Sequence, residues 1–277
     1  MDLGLQDRTA VITGGNSGIG VGLSREFARE GCNVVIAARD VEKSQQVAEQ
    51  AEQLGGKAIA IQTDITNRRS VDAMVARTLE LYGSIEILIN NAGGPHFVTP
   101  FEDMKPEDIQ WELDLNIMGV VNCTQAVGRE MISKGFGSIV NISSQSSLLP
   151  KAGSQLVNYA GSKGYVNSFT KALAFDWAAK GIRVNNIAPG WILPYTKEDV
   201  SAGSNWKRFA FDFFGDPETV RENVAKGEGF NLGDDLLIKR AGSPTDIAHA
   251  ALFLASDVSS YITGALISIG GGGYMPT

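Results

Sequence analysis

Tyr159 and Lys163 stand four residues apart in the stretch NYAGSKGYVN. On a helix that separation puts a phenol and an ammonium on one side, close enough to share a small volume. A phenol with an ordinary pKa near 10 is a poor base at neutral pH, and lowering it by ~3 units takes ~4 kcal/mol. An ammonium ~4 Å away at an effective dielectric of ~20 supplies about that much. Such a pair is suited to passing a proton to and from an oxygen atom. With six tyrosines in the chain, chance alone gives such a match in roughly one chain in four, so the pair needs companions. Ser143 and Ser144 close the run SIVNISS, NNAG spans Asn90 to Gly93, and Asn116 sits in a long helical run. The two histidines, His96 and His249, lie far apart with no Cys or carboxylate at ligand spacing, so no metal site is expected.

The elements that must position these groups alternate regularly. Short β-branched runs appear at 9–13, 33–37, 58–62, 85–90, 137–142, 183–188 and 265–269. Between them lie amphipathic patterns such as IGVGLSREFAREG, where Ile19, Leu23 and Phe27 recur every fourth residue and Gly31 can close the helix in a left-handed turn. The first four strands are apolar on both faces, which predicts a parallel sheet covered by helices on each side, a doubly wound α/β fold. No linker or charge block divides the chain, so residues 1–277 are expected to form a single domain. In a parallel sheet the strand C-termini face the ligand crevice, which gathers NNAG and the two serines at one edge.

TGGNSGIG, Thr13 to Gly20, follows the first strand and opens the first helix. There the glycines Gly14, Gly18 and Gly20 would let the backbone approach a pyrophosphate, and the amides of Asn16, Ser17 and Ile19 with the helix dipole would hold it. The spacing differs from GxGxxG, but the strand before and the helix after are the right context. At the end of the second strand, VVIAARD has Ala38 where an acid would meet a ribose 2′-hydroxyl, followed by Arg39. A guanidinium fork there favours a 2′-phosphate, hence NADP(H) over NAD(H). Asp40 leaves the other outcome open: turned toward the ribose it would serve NAD, and as a helix cap it would not. Arg39 in its turn could simply cover the sheet end.

With 43% apolar and 20% charged residues, 277 positions are enough for a large core. A net charge of −7 argues against nucleic acid or an anionic membrane as partner. Cys32 and Cys123 fall inside apolar patterns, which points to core filling and a reducing, cytoplasmic setting. No segment has the length and apolarity of a membrane span.

The full set, TGGNSGIG, NNAG, Asn116, Ser144, Tyr159, Lys163 and the PG of IAPGWI, resembles the short-chain dehydrogenases and reductases in order and over essentially the whole chain. The resemblance implies seven parallel strands of Rossmann type, a nicotinamide cofactor and hydride transfer between a ketone and a secondary alcohol. Tyr159 would be the acid and base, Ser144 would orient the substrate oxygen, with Ser143 as its rival, Lys163 would also hold the ribose, and Asn116 would position a relay water. Asp64 and Ile65 would lie at the adenine, Asn91, Ala92, Gly93, Pro189 and Gly190 near the cofactor, and Ile192 near its carboxamide. Two departures stand out. The Ser144 to Tyr159 spacing is longer than the family's, and Pro194 occupies the position of a usual Thr, with Thr196 as a stand-in. Tyr165 has no Lys four residues on and reads as packing.

About fifty residues, 191–240, separate the sixth strand from the helix opened by Ser243 and Pro244. They include Trp206, Phe209, Phe211, Phe213 and Phe214, composition suited to a folded substrate lid over a bulky or largely apolar carbonyl compound. The same aromatics could instead pack a subunit interface, and Lys207 and Arg208 could meet an acidic substrate group. An isomerase or dehydratase using its nicotinamide transiently, and a cofactor-binding regulator without turnover, are the other function classes. The resemblance further implies a homo-oligomer, tetramer or dimer, built on the long helices after Pro106 and Val157.

Overall fold

The computed structural model describes residues 2–149, 155–204, 206–226 and 237–274. A seven-stranded parallel sheet runs through it in the order β3-β2-β1-β4-β5-β6-β7, with β1 Thr9–Thr13, β2 Asn33–Ala38, β3 Lys57–Gln62, β4 Ile87–Asn90, β5 Gly137–Ile142, β6 Ile182–Pro189 and β7 Leu266–Ile269. Helices α1 Ile19–Arg29, α2 Val41–Glu52, α3 Arg68–Tyr82, α4 Pro106–Leu113, α5 Gly119–Lys134 and α6 Val157–Trp177 alternate with the strands. A single turn α7 Phe211–Phe214, then α8 Pro217–Lys226 and α9 Pro244–Ala255, follow β6. Among the described residues no helix is long and apolar enough to cross a membrane.

The strands are buried on both faces because their side chains alternate between two cores. Ala10 and Ile12 of β1, with Val34 and Ile36 of β2, pack against α1 and α9 residues such as Leu23, Phe27 and Ile247. Val11 and Val35 face the opposite way, toward Met74, Val127 and Met131 of α3 and α5. Cys32 and Cys123 are buried free thiols, one in each core. Burial pushes both up to about 12, so they stay protonated and apolar in character.

Local signals account for the element ends. Gly31, Gly83 and Gly135 take φ of 79°, 79° and 71° after α1, α3 and α5, the left-handed conformation that stops a helix at little cost in glycine. Ser243 and Asp246 form a reciprocal capping box with Pro244 in the first turn of α9. Strand order reverses between β1 and β4, and the crevice at that switch point is where an open α/β sheet accepts ligands.

One row of polar residues crosses the sheet interior. Asn90, Asn141 and Asn186 are register neighbours on β4, β5 and β6 and are 2%, 0% and 0% exposed. Asn90 donates to Asn141 at 2.8 Å, Asn141 to Thr170 at 2.9 Å, and Asn186 to Asn167 at 2.6 Å. Asn167 then donates to Ser147 at 2.9 Å. Directional bonds from β5 and β6, with Asn90 of β4 behind them, thus fix the height of α6 over the sheet, and with it the position of Tyr159 and Lys163.

Candidate active site

A cavity of about 910 Å³ opens along the C-terminal ends of the central strands. One end is the turn after β1. Gly14 and Gly18 have φ of 62° and 55°, and a Cβ on Gly14 would come within 3.1 Å of the Ala92 backbone, so glycine is required for this close approach. Gly14, Asn16, Ser17, Gly18 and Ile19 all line the cavity. Gly20, expected with them, does not: a Cβ there would lie 2.0 Å from the Gly14 carbonyl, so this glycine lets α1 seat on the turn. The Asn16 side chain turns away, donating to the Asp40 carbonyl at 3.1 Å and Ser44 Oγ at 3.0 Å, and leaves its backbone toward the cavity. Asn91 works similarly, its amide donating to the carbonyls of Thr13 and Gly14 at 2.9 and 3.2 Å.

Toward the other end, Ser144, Tyr159 and Lys163 share the wall. Ser143 also lines the cavity, but its hydroxyl is engaged, donating to the Ile187 carbonyl at 3.3 Å. Ser144 Oγ accepts from Ser146 Oγ at 2.9 Å and from its backbone N–H at 3.2 Å, which leaves the Ser144 proton to be donated. The phenol of Tyr159 does not behave as an isolated phenol–ammonium pair would. Burial pushes it up to about 12; a hydrogen bond with Ser144 pulls it back and the charge of Glu112 raises it further. Lys163 is 2% exposed, its amine donates to the Ile142 carbonyl at 2.9 Å, and it lies 5.8 Å from the Tyr159 ring centre. Burial lowers that ammonium to about 8. Desolvation outweighs attraction here because both groups sit in the same water-poor wall. The expected lowering of the phenol by Lys163 is therefore not a property of the free protein.

Asn116 is fully buried in a π-helical turn, Asp114–Met118, between α4 and α5. It accepts from the Gly94 N–H at 2.9 Å and donates to the Gly94 carbonyl at 3.0 Å, so it stands behind the cavity wall. A Cβ on Gly93 would meet Asn116 Oδ1 at 2.7 Å and Lys163 Nζ at 2.9 Å. Those two groups thus flank Gly93, and the extra residue of the π turn is what brings Asn116 round to them.

At the β2 end, Arg39 lines the cavity and is exposed, its guanidinium lying under Gly203. Asp40 Oδ1 accepts from the Lys43 N–H at 3.0 Å as N-cap of α2. Asp64 and Ile65 are in the wall; Asp64 Oδ1 accepts from the Thr66 N–H and hydroxyl at 3.0 and 2.8 Å. Pro189, Gly190 and Ile192 complete that side.

The sequence matches the family model described as short chain dehydrogenase over residues 8–205. The chain belongs to the short-chain dehydrogenase family. Residues 229–274 also match a model described as enoyl-(acyl carrier protein) reductase. The chain is 38% identical over 275 residues to the oxidoreductase UcpA of Salmonella typhimurium, covering 98% of this chain and 96% of the relative. It is 34% identical over 270 residues to 3beta-hydroxysteroid dehydrogenase 1 of Eggerthella lenta, covering 97% and 94%. A solved short-chain type dehydrogenase/reductase from Mycobacterium marinum superimposes with a TM-score of 0.81 at 31% identity, covering 98% of this chain and 97% of that one.

In this short-chain dehydrogenase the segment after β6 crosses the glycine turn. The Gly18 N–H donates to the Asp199 carbonyl at 2.9 Å, the Ser201 N–H donates to Ser17 Oγ at 3.1 Å, and Arg25 pairs with Asp199 at 3.2 Å. Thr196, the expected stand-in at the carboxamide, instead donates to Asp199 Oδ2 at 2.9 Å and is not part of the wall. Trp191, Pro194, Trp206 and Ala210 form the wall beyond Tyr159, facing Trp111, Leu115 and Leu156. Trp206 packs edge-on to Trp191 at 6.2 Å and against Phe211 at 5.7 Å. The side chains of Arg208, Phe209, Phe213 and Phe214, and part of the lengthened Ser144 to Tyr159 loop, lie outside the described set. Tyr165, read as packing, is 41% exposed and stacks on Phe169. Thr63, Gln145, Ser146, Trp111 and the 201–204 strap were not singled out from sequence. No local signal marks them, because they reach the cavity only through the folding of distant segments.

Proposed function

We propose that the chain is an NADP(H)-preferring oxidoreductase that interconverts a ketone and a secondary alcohol on a bulky, largely apolar substrate. The observation that carries this reading is the half-buried Tyr159 phenol, sharing the cavity wall with a Ser144 hydroxyl that keeps a proton to donate. The chain's own residues fit a dinucleotide: Gly14 and Gly18 leave the turn open to a pyrophosphate, and Arg39 stands at the ribose end. Asp40, the acid that would favour NAD, is engaged as a helix cap. Asn16, Ser17, Ile19, Asp64, Ile65, Asn91, Ala92, Gly93, Pro189, Gly190 and Ile192 would line the remainder of that molecule. The bound cofactor supplies or accepts the hydride.

In reduction Tyr159 gives its proton to the carbonyl oxygen, and in oxidation it removes one. Held up near 12 in the free protein, the phenol is fully protonated at neutral pH, which is the form reduction needs. Ser144 donates to the same oxygen and fixes its direction. Lys163 would hold the ribose hydroxyls. Asn116 anchors Gly94 and still has one N–H and one lone pair for a water beside Lys163. The wall of Trp111, Leu115, Leu156, Trp191 and Trp206 offers flat apolar surface to the substrate body, and a hydroxysteroid dehydrogenase among the relatives agrees with that class. Exposed apolar residues on α6, Phe175 at 90% and Val157 at 51%, favour assembly of copies through this helix.

NADPH and NADH oxidation with a panel of bulky cyclic ketones, steroid ketones and small sugar-derived ketones tests the reading. Turnover is expected with the first two groups, faster with NADPH. A transient-cofactor isomerase or dehydratase would convert substrate with no net absorbance change, and an active Tyr159→Phe variant would overturn the assignment.

A further inference from the structure

Glu112, in the last turn of α4, is 1% exposed. A carboxylate in such a place is costly unless its oxygens are bonded, and here each meets a donor from a different segment. The His96 N–H donates to Oε1 at 2.5 Å, and Asn158 Nδ2 donates to Oε2 at 2.7 Å. His96 belongs to the loop after β4 that continues from Gly93 and Gly94; Asn158 is the residue before Tyr159. Helix α6 begins at Val157 with no side-chain cap on its first amides. The carboxylate thus sits beside an uncapped helix N-terminus, where negative charge is favourable. The loop is pinned a second time through the His96 imidazole, which stacks on Trp111 at 4.2 Å and pairs with Asp108 at 3.1 Å. Glu112 is four residues from Asn116, so one stretch carries the contacts to both Gly94 and His96 of this loop.

We propose that Glu112 is a positioning residue for the reaction, tying the loop after β4 to the first turn of α6 so that the Tyr159 phenol is held in place. This rests on the role assigned to Tyr159 above. The charged and titratable groups around the brace are His96 and Asp108 from the loop and α4, and Tyr159 and Lys163 from α6. Among them the Glu112 charge acts on the phenol in the direction that retains its proton. Glu112→Gln keeps an acceptor for the His96 N–H, and Asn158 can turn its amide over to meet the new NH₂. The brace therefore survives while the charge is lost; Glu112→Ala removes both.

Two measurements test this. Hydrogen–deuterium exchange on the free protein needs no turnover: Glu112→Ala should raise exchange together in 94–98 and in the first turn of α6, and Glu112→Gln should leave both protected. Unchanged protection of α6 in Glu112→Ala overturns the brace, whether or not any ketone is reduced. The pH profile of kcat supplies the readout a purely structural role would not move. Glu112→Gln, which keeps the brace and removes its charge, should shift the limb belonging to Tyr159 downward, with KM little changed. A limb that coincides with the wild type overturns the placement of that charge beside the phenol. Absence of wild-type turnover on every carbonyl would instead count against the oxidoreductase reading, with the exchange result still deciding the brace.

Discussion

Lys163→Met is expected to make the free protein more stable while abolishing its turnover. The Lys163 ammonium is 2% exposed, and burial lowers it from 10.5 to about 8. A group whose folded pKa lies below its unfolded value binds its proton more weakly in the native state. At neutral pH, where both states are charged, the native state therefore carries an unfavourable ~3 kcal/mol. Methionine has similar length and no charge to desolvate. Against the gain stands the lost charge-assisted hydrogen bond to the Ile142 carbonyl, a loss of ~2 kcal/mol. The net is a stabilisation of ~1 kcal/mol, a rise in Tm of about 2–4 °C for a domain of this size. The penalty is fully present below the folded pKa and fades as pH rises from about 8 toward 10.5, so wild type should gain on the variant across that window. Calorimetric melting of cofactor-free wild type and Lys163→Met over this pH range reads both effects. A variant that melts below wild type at neutral pH, or a difference that stays constant through the window, would refute the reasoning.

Four further outcomes follow from the same geometry. Tyr159→Phe should eliminate turnover with cofactor affinity nearly unchanged, read by fluorescence titration with NADPH beside steady-state rates. Ser144→Ala should lower kcat by about 10²–10³-fold, whereas Ser143→Ala, whose hydroxyl bonds only the Ile187 carbonyl, should alter stability by ~1 kcal/mol and leave kcat within a few-fold; equal kinetic losses would contradict the assignment. Arg39→Ala should reduce kcat/KM for NADPH by about 10–100-fold, the worth of a charge-assisted contact, with little change for NADH, and parallel losses would remove the argument for a 2′-phosphate. Arg221 donates to the carbonyls of Leu193, Pro194 and Tyr195; Arg221→Ala should loosen this 193–195 segment, which leads into the strap, and raise the KM for cofactor about tenfold, and an unchanged KM would show the segment to be held by other contacts.

Much of the fold was legible in the chain because its signals are local. Strands such as Thr9–Thr13 and Gly137–Ile142 matched their apolar runs residue for residue, and the Ser243, Pro244 and Asp246 signature marked the start of α9. Gly20 was the exception within a legible motif: spacing could count it with Gly14 and Gly18 but could not tell a glycine that faces a ligand from one that seats a helix. Asn16 and Asn91 lie where the motif puts them, yet their side chains hold other backbone segments.

The chain by itself determined residue types, their periods and their order, and hence a doubly wound sheet with a phenol, an amine, two serines and several asparagines near its C-terminal edge. Only the tertiary structure decided which of the two cavity-lining serines keeps its proton to donate, that a π turn swings Asn116 toward Gly93, and that Glu112 joins the β4 loop to α6. It also reversed the electrostatic balance at Tyr159. Spacing along a helix fixes which side chains are neighbours, but a pKa depends on how much water the surrounding segments exclude, and those segments come from every part of the chain.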